Sequence, residues 1–128
     1  MTQTDPKGEL TIRTVAMPAD TNTAGDIFGG WVLSQMDIAG GIAAAQYSQS
    51  RVATVGIEAM SFLKPVNMGD ILCVYAEVDT VGRTSMAIRL EAWVLRQRSR
   101  VRLKVTEGVF TFVALDANGN STPVSPLA

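Results

Sequence analysis

The sequence predicts an α+β fold in which one long helix is wrapped by a curved antiparallel sheet, and three observations predict it. A run from Trp31 onward is apolar on almost every side, and a helix without a polar face must be covered all round. Five β-like segments flank that run, one before it and four after. The later segments are long, alternate with period two and turn back on one another, so a single sheet around a single helix is the economical arrangement.

Taken in order, residues 1–8 are polar, and fraying is expected there. Residues 10–17 read as a first strand with Leu10, Ile12 and Ala16 on one face, ended by Pro18. A polar loop follows, with Asp20, Asn22 and Gly25 as turn formers. The helix is expected over about 28–47. Glycine weakens a helix, so the pair Gly40-Gly41 predicts that something packs very close to the backbone there. Residues 51–64 read as one long strand, with Val55, Ile57, Ala59 and Leu63 on one face, stopped by Pro65; Gly69-Asp70 turns the chain. Over 71–81 the alternation is clean, with Leu72, Val74, Ala76 and Val78 inward. Gly82-Arg83 is a tight connection to residues 84–96, which turn Met86, Ile88, Leu90, Ala92 and Val94 inward and Arg89 and Glu91 outward. Residues 97–100 form a basic turn. In the last strand, 101–115, the apolar phase slips from Val105 to Phe110, which predicts a bulge or bend at 106–108.

At 128 residues the chain makes one domain, 1–128, with a core of about 8–120. Apolar residues are 47% and charged residues only 18%, rich for a small monomer, so some apolar surface is expected to be covered by another subunit. A net charge of −1 argues for neither nucleic acid nor an anionic membrane. The start lacks a basic, then apolar, leader, and Asp37 and the glycines interrupt any spanning run, so neither a signal peptide nor a membrane span is expected. The one cysteine, Cys73, excludes an internal disulfide, fits a reducing cytoplasm and reads as a small apolar residue of core or interface. There is no histidine. That removes Ser-His-Asp and Cys-His pairs, histidine bases and histidine ligands together. Acidic residues are scattered without ligand spacing, so no metal or other cofactor is expected.

Chemistry is therefore sought at the helix entry. Asp26 stands just before a helix start, and Gly29-Gly30 leave backbone N–H groups unshielded. One carboxylate acting on water or on a carbonyl, with N–H donors on the carbonyl oxygen, is a minimal hydrolase for an activated acyl group. The competing reading, favoured by composition alone, is that Asp26 only caps the helix. Asn22 reads as a turn former that could orient water or the carbonyl. Asp37, the only charge inside the helix, needs a partner, expected to be structural and at a subunit contact. Arg83-Thr84-Ser85 at a hairpin tip suits phosphate or pantetheine amides, or is an ordinary solvated hairpin. Arg96, Arg98, Arg100, Arg102 and Lys104 alternate along a turn and strand; without aromatic interleaving they read as a solvated face or a phosphate-binding rim rather than a nucleic-acid site.

The string A-M-P-A-D-T-N-T-A-G-D-I-F-G-G-W-V-L-S-Q-M-D-I-A-G (16–40) closely resembles the bacterial YciA-type acyl-CoA thioesterases of the hotdog-fold superfamily. The likeness continues through 51–66, 81–85 and 105–116. It implies a hotdog fold, a five-stranded antiparallel sheet around a central helix, with two subunits joining sheets side by side and dimers assembling into a hexamer. It implies hydrolysis of acyl-CoA with Asp26 as base or nucleophile, which reverses the preference for a cap, and Gly29 or Gly30 polarising the carbonyl. Ser61, Phe62 and Lys64, with Arg83, Thr84 and Ser85, are then the candidates for contacting coenzyme A. Against the family pattern, the stretch between Trp93 and Val105 is shorter and more basic. A non-catalytic acyl-CoA-binding or regulatory hotdog module is the alternative; a hotdog dehydratase would need a histidine.

Overall fold

The computed structural model describes residues 5–124; the fraying expected at 1–4 and the loop expected at 125–128 lie outside them. The elements are β1 (Glu9–Val15), α1 (Gly29–Ser48), β2 (Arg51–Ile57), β3 (Ile71–Val81), β4 (Ser85–Leu95) and β5 (Arg102–Leu115), with a short 3-10 turn at Pro18–Asp20. All five strands form one antiparallel sheet in the order β1-β3-β4-β5-β2, so β1 and β2 are its edges. The helix touches every strand. This is the hotdog arrangement.

Period-two alternation in β3 and β4 places Leu72, Val74, Met86, Ile88 and Leu90 against the helix with no exposed surface. Phe110 and Phe112 of β5 complete that layer. The slip in β5 is a bulge at Val105, where Ala92 pairs with Thr106 but Trp93 pairs with Lys104. It lies one residue before the expected stretch and buries Val105 and Thr106 together.

The glycine pair resolves into two different residues. A Cβ on Gly40 would stand 2.7 and 2.8 Å from ring atoms of buried Phe112, whereas one on Gly41 would find its nearest atom at 3.8 Å. Gly40 is therefore the close approach and Gly41 is not. In Gly40→Ala the overpacking, about 1–3 kcal/mol, outweighs a helix-propensity gain of up to about 1 kcal/mol. Thermal melts are expected to show Gly40→Ala destabilised and Gly41→Ala unchanged or raised; equal shifts in the two would remove the Phe112 contact as the reason.

Three expectations are corrected, and a fourth holds with an unexpected consequence. Residues 7 and 8 are held rather than frayed: the Lys7 N–H donates to Glu91 Oε1 at 3.3 Å, and Gly8, at φ 99°, lies so near the Ala76 carbonyl that a Cβ would stand 2.8 Å from its oxygen. The strand beginning at Arg51 ends at Ile57, not at Lys64. Beyond it the ladder opens between Glu58 N–H to Val109 O (3.1 Å) and Leu63 N–H to Val105 O (2.7 Å), because Met60 folds onto Gly108. Coverage of the helix all round is not supplied by one chain: Ile38 and Ile42 on its far face are 52% and 39% exposed. Glu91 points outward by register, yet it is buried.

Four groups enclose that carboxylate. The Trp93 Nε1–H donates to Oε1 at 2.9 Å, the Lys7 N–H reaches the same oxygen, Arg89 bonds Oε2, and Lys104 Nζ stands 3.8 Å from Oε2. Arg89 also pairs with Glu107 at 3.1 Å, and Lys104 with Glu107. Burial pushes the Glu91 carboxyl up, but the hydrogen bonds from Trp93, Arg89 and Lys7 and the nearby Lys104 charge outweigh it and hold the group below its ordinary value.

Cys73 sits half-buried on this outer face, opposite Arg13 and Trp93 in register, rather than in the core. Burial raises its thiol pKa, with Arg13 and Arg102 partly opposing, so the thiol is not a ready nucleophile.

Candidate active site

Asp26 lies on a short looped hairpin closed by the Thr21–Ile27 bridge. The Asn22 side chain shapes it: Oδ1 accepts the N–H of Ala24 at 2.9 Å and of Asp26 at 3.1 Å. The backbone closes the ring, with Asn22 N–H to Asp26 O at 2.6 Å and Gly25 N–H to Asn22 O at 3.1 Å; Gly25 adopts φ 89°, a conformation that favours glycine. The oxygen of Asn22 is thus committed to the turn, as its residue type suggests, while its amide Nδ2 makes no hydrogen bond among the described residues. Ile27 donates its N–H to Val66 O at 3.2 Å, and Phe28 to Asp20 O at 3.1 Å.

Asp26 does not cap the helix. The N-cap position is Phe28, no side chain caps it, and the exposed Asp26 carboxylate has no hydrogen-bond or ion-pair partner among the described residues. Gly29 and Gly30 open α1, and their N–H groups are likewise unpaired among the described residues, whereas Trp31 already donates to Phe28 O at 3.1 Å. A Cβ on Gly30 would meet nothing within 4 Å, so packing within the chain does not require glycine there.

Beside Gly29 runs a cleft of about 310 Å³, lined by Ile27, Gly29, Val32 and residues 62–66. It brings Phe62 and Lys64 to the helix start, and the Phe62 ring would stand 3.5 Å from a Cβ on Gly29. Ser61 is not in this cleft. It lines a neighbouring one with Lys104 and Glu107, and its carbonyl accepts the Thr106 hydroxyl at 2.7 Å.

Arg83, Thr84 and Ser85 lie elsewhere. They join the Val81 end of β3 to β4, whereas the Asp26 loop is tied to Val66, next to the Ile71 end. At about 3.3 Å per residue, a strand as long as β3 separates the two groups by roughly 30 Å within one chain. The hairpin is braced by Gly82 N–H to Ser85 O at 2.8 Å and Ala114 N–H to Thr84 O at 2.9 Å, and the exposed Arg83 guanidinium has no partner among the described residues.

Asp37 accepts the Thr54 hydroxyl of β2 at 2.6 Å, so its partner is within the chain, on an edge strand. In the basic segment, Arg96 bonds Asp70 and Pro65, Arg102 stacks over Trp93 at 5.6 Å and Lys104 joins the Glu91 cluster, which leaves the guanidinium groups of Arg98 and Arg100 without partners among the described residues. Among the described residues no group of three or more acidic, cysteine or histidine side chains could hold a metal, and no helix is long and apolar enough to cross a membrane.

Comparisons with known proteins agree on one family. Residues 24–100 match the family model of the thioesterase superfamily. The acyl-CoA thioester hydrolase YciA of Salmonella typhimurium is 50% identical over 122 residues, which is 93% of this chain and 92% of that protein. A hexameric thioesterase from Yersinia pestis superposes with a TM-score of 0.89 at 49% identity, over 95% of this chain and 99% of that one. A hexameric hotdog-fold thioesterase of Campylobacter jejuni does so with a TM-score of 0.87 at 42% identity, over 92% and 91%.

Proposed function

The chain belongs to the thioesterase superfamily, among its YciA-type acyl-CoA thioester hydrolases, and from that premise we propose that Asp26 drives hydrolysis of acyl-CoA to a free carboxylic acid and coenzyme A. The observation that carries this reading is an unpartnered, solvent-open carboxylate followed, three residues on, by two unpaired N–H donors at a helix start. The thioester carbonyl oxygen is received by the N–H groups of Gly29 and Gly30, where the helix dipole opposes the charge that develops on it. Asp26 either takes a proton from the attacking water or adds to the acyl carbon to form an anhydride that water opens. In both routes a water oxygen joins the acyl carbon, the C–S bond breaks and sulfur leaves as thiolate, which takes up a proton. A thiol with a pKa of about 8.5 is a good leaving group, so a histidine acid is not required. Asn22 holds the loop and turns its free amide towards the water or the carbonyl. No metal or other cofactor takes part.

The site needs two chains. Val55 and Ile57 on the edge strand β2 are 61% and 50% exposed, which suits pairing with a second copy. Two sheets joined antiparallel at that edge have reversed ends, so Arg83, Thr84 and Ser85 of one subunit lie on the same side as the partner's Asp26. Coenzyme A then runs from the cleft with Phe62 and Lys64, past Ser61, towards that partner hairpin. Such dimers assemble further into a hexamer and so cover the helix face that carries Ile38 and Ile42, a reading supported by the hexameric state of the Yersinia and Campylobacter proteins. The unpaired thiol of Cys73 fits a cytoplasmic setting.

Free-thiol release from a panel of short to long acyl-CoAs tests the reaction. Turnover is expected, and the panel reports the preferred chain length. Tight acyl-CoA binding with no thiol released would instead make this a binding or regulatory module.

A further inference from the structure

The loop that carries Asp26 is bonded mostly to itself. Among the described residues, its hydrogen bonds run to partners within 17–31 with one exception, Ile27 N–H to Val66 O. That bond, together with the buried Ile27 side chain, ties the Asp26 loop to the remainder of the fold, so the placement of Asp26 depends in part on what fixes Val66.

What fixes it is an ion pair remote in sequence. The Asp70 carboxylate is only 5% exposed, and its Oδ2 accepts Arg96 Nε–H at 3.1 Å and the Asn67 N–H at 2.8 Å. The same guanidinium donates from Nη2 to the Pro65 carbonyl at 2.6 Å. One arginine thus clamps residues 65, 67 and 70, on both sides of Val66. The clamp is itself anchored: Asp70 O accepts Ala16 N–H at 2.9 Å, Gly69 donates to Ala16 O at 2.8 Å, and Arg96 closes its turn through N–H to Val101 O at 2.9 Å.

We propose that Arg96 is a positioning residue for the reaction: through Asp70, Pro65 and Val66 it holds the Ile27 amide, and with it the Asp26 loop, against the helix start. The inference rests on Asp26 acting in the reaction as proposed above. A guanidinium suits this task because its fork serves two acceptors in fixed directions, and a carboxylate as buried as Asp70 needs a cation beside it.

A double-mutant cycle tests it, read as kcat and KM for one acyl-CoA with Arg96→Met, Asp26→Asn and the pair. Arg96→Met is expected to lower kcat about tenfold or more with KM within about twofold, since a small displacement of a reacting group is enough for that. In the Asp26→Asn background it is expected to cause no further loss, because only the placement of Asp26 has changed. Arg96→Lys, which keeps a cation beside Asp70, is expected to recover most of the rate. Wild-type kcat in Arg96→Met overturns the inference. So does a loss that multiplies on top of Asp26→Asn, which is the mark of a smaller folded fraction. If Asp26→Asn itself turns over like the wild type, the Asp26 reading fails and the inference falls with it. Should Arg96→Met not fold, Asp70→Asn takes its place in the same cycle, since it removes the charge and keeps the shape.

Discussion

Asp26→Asn is expected to leave a folded, oligomeric protein whose kcat has fallen by about 10²–10⁴. Asparagine keeps the size of the side chain and its ability to accept a hydrogen bond, but it can neither take a proton from water nor add to an acyl carbon. Little stability should be lost, because the carboxylate is exposed, caps nothing and has no partner among the described residues. A catalytic loss without a structural one is therefore the expected signature, read by thiol release beside a thermal melt and a sizing column. KM should move little, since the cleft at Gly29, Phe62 and Lys64 is untouched. A variant that turns over at the wild-type rate would return Asp26 to a loop residue and move the chemistry elsewhere.

The second large effect concerns stability. Glu91 has 3% of its side chain exposed and is held by Trp93, Arg89, the Lys7 amide and Lys104. Glu91→Gln keeps the shape and an acceptor for Trp93, but it places an amide against Arg89 and Lys104. Loss of one partner from a buried ion pair costs about 3 kcal/mol or more. The sign of the pH dependence follows from the direction of the shift. The folded group is held below its ordinary value, so its contribution is present above about pH 4.3, the unfolded reference, and is lost as pH falls through the folded value. Denaturation at pH 7 should therefore separate wild type from variant widely, and the gap should close as pH drops below 4.3. A gap that stays constant with pH would mean that the charge on Glu91 contributes nothing.

Much of this architecture was legible because it is periodic. The inward sets of β3 and β4 follow from alternation alone, and the Gly40-Gly41 pair announced a close approach, although only the contact with Phe112 tells which glycine makes it. Asp26 stood out by its place before Gly29-Gly30. What stayed hidden has no period. Arg96 and Asp70 meet across 26 positions with no spacing to reveal them, and Val66 acts through its carbonyl, which every residue type shares. Glu91 obeys the alternation but is covered in part by neighbours from two other places in the chain, Lys7 and Lys104, which a one-dimensional pattern does not record. The end of β2 was misread because Met60 turns into Gly108 within a stretch that stays apolar.

The separation of the Asp26 loop from the Arg83 hairpin by the length of the sheet also bears on inheritance. Under the proposed pairing a lone chain carries two unlike half-sites and no whole one, and the unit of function is the pair. Two defective alleles, one altered at Asp26 and the other at Arg83, would each be silent alone. Expressed together, they put both lesions into one site of a mixed dimer and leave the other site intact, so that two null alleles restore the activity each had lost.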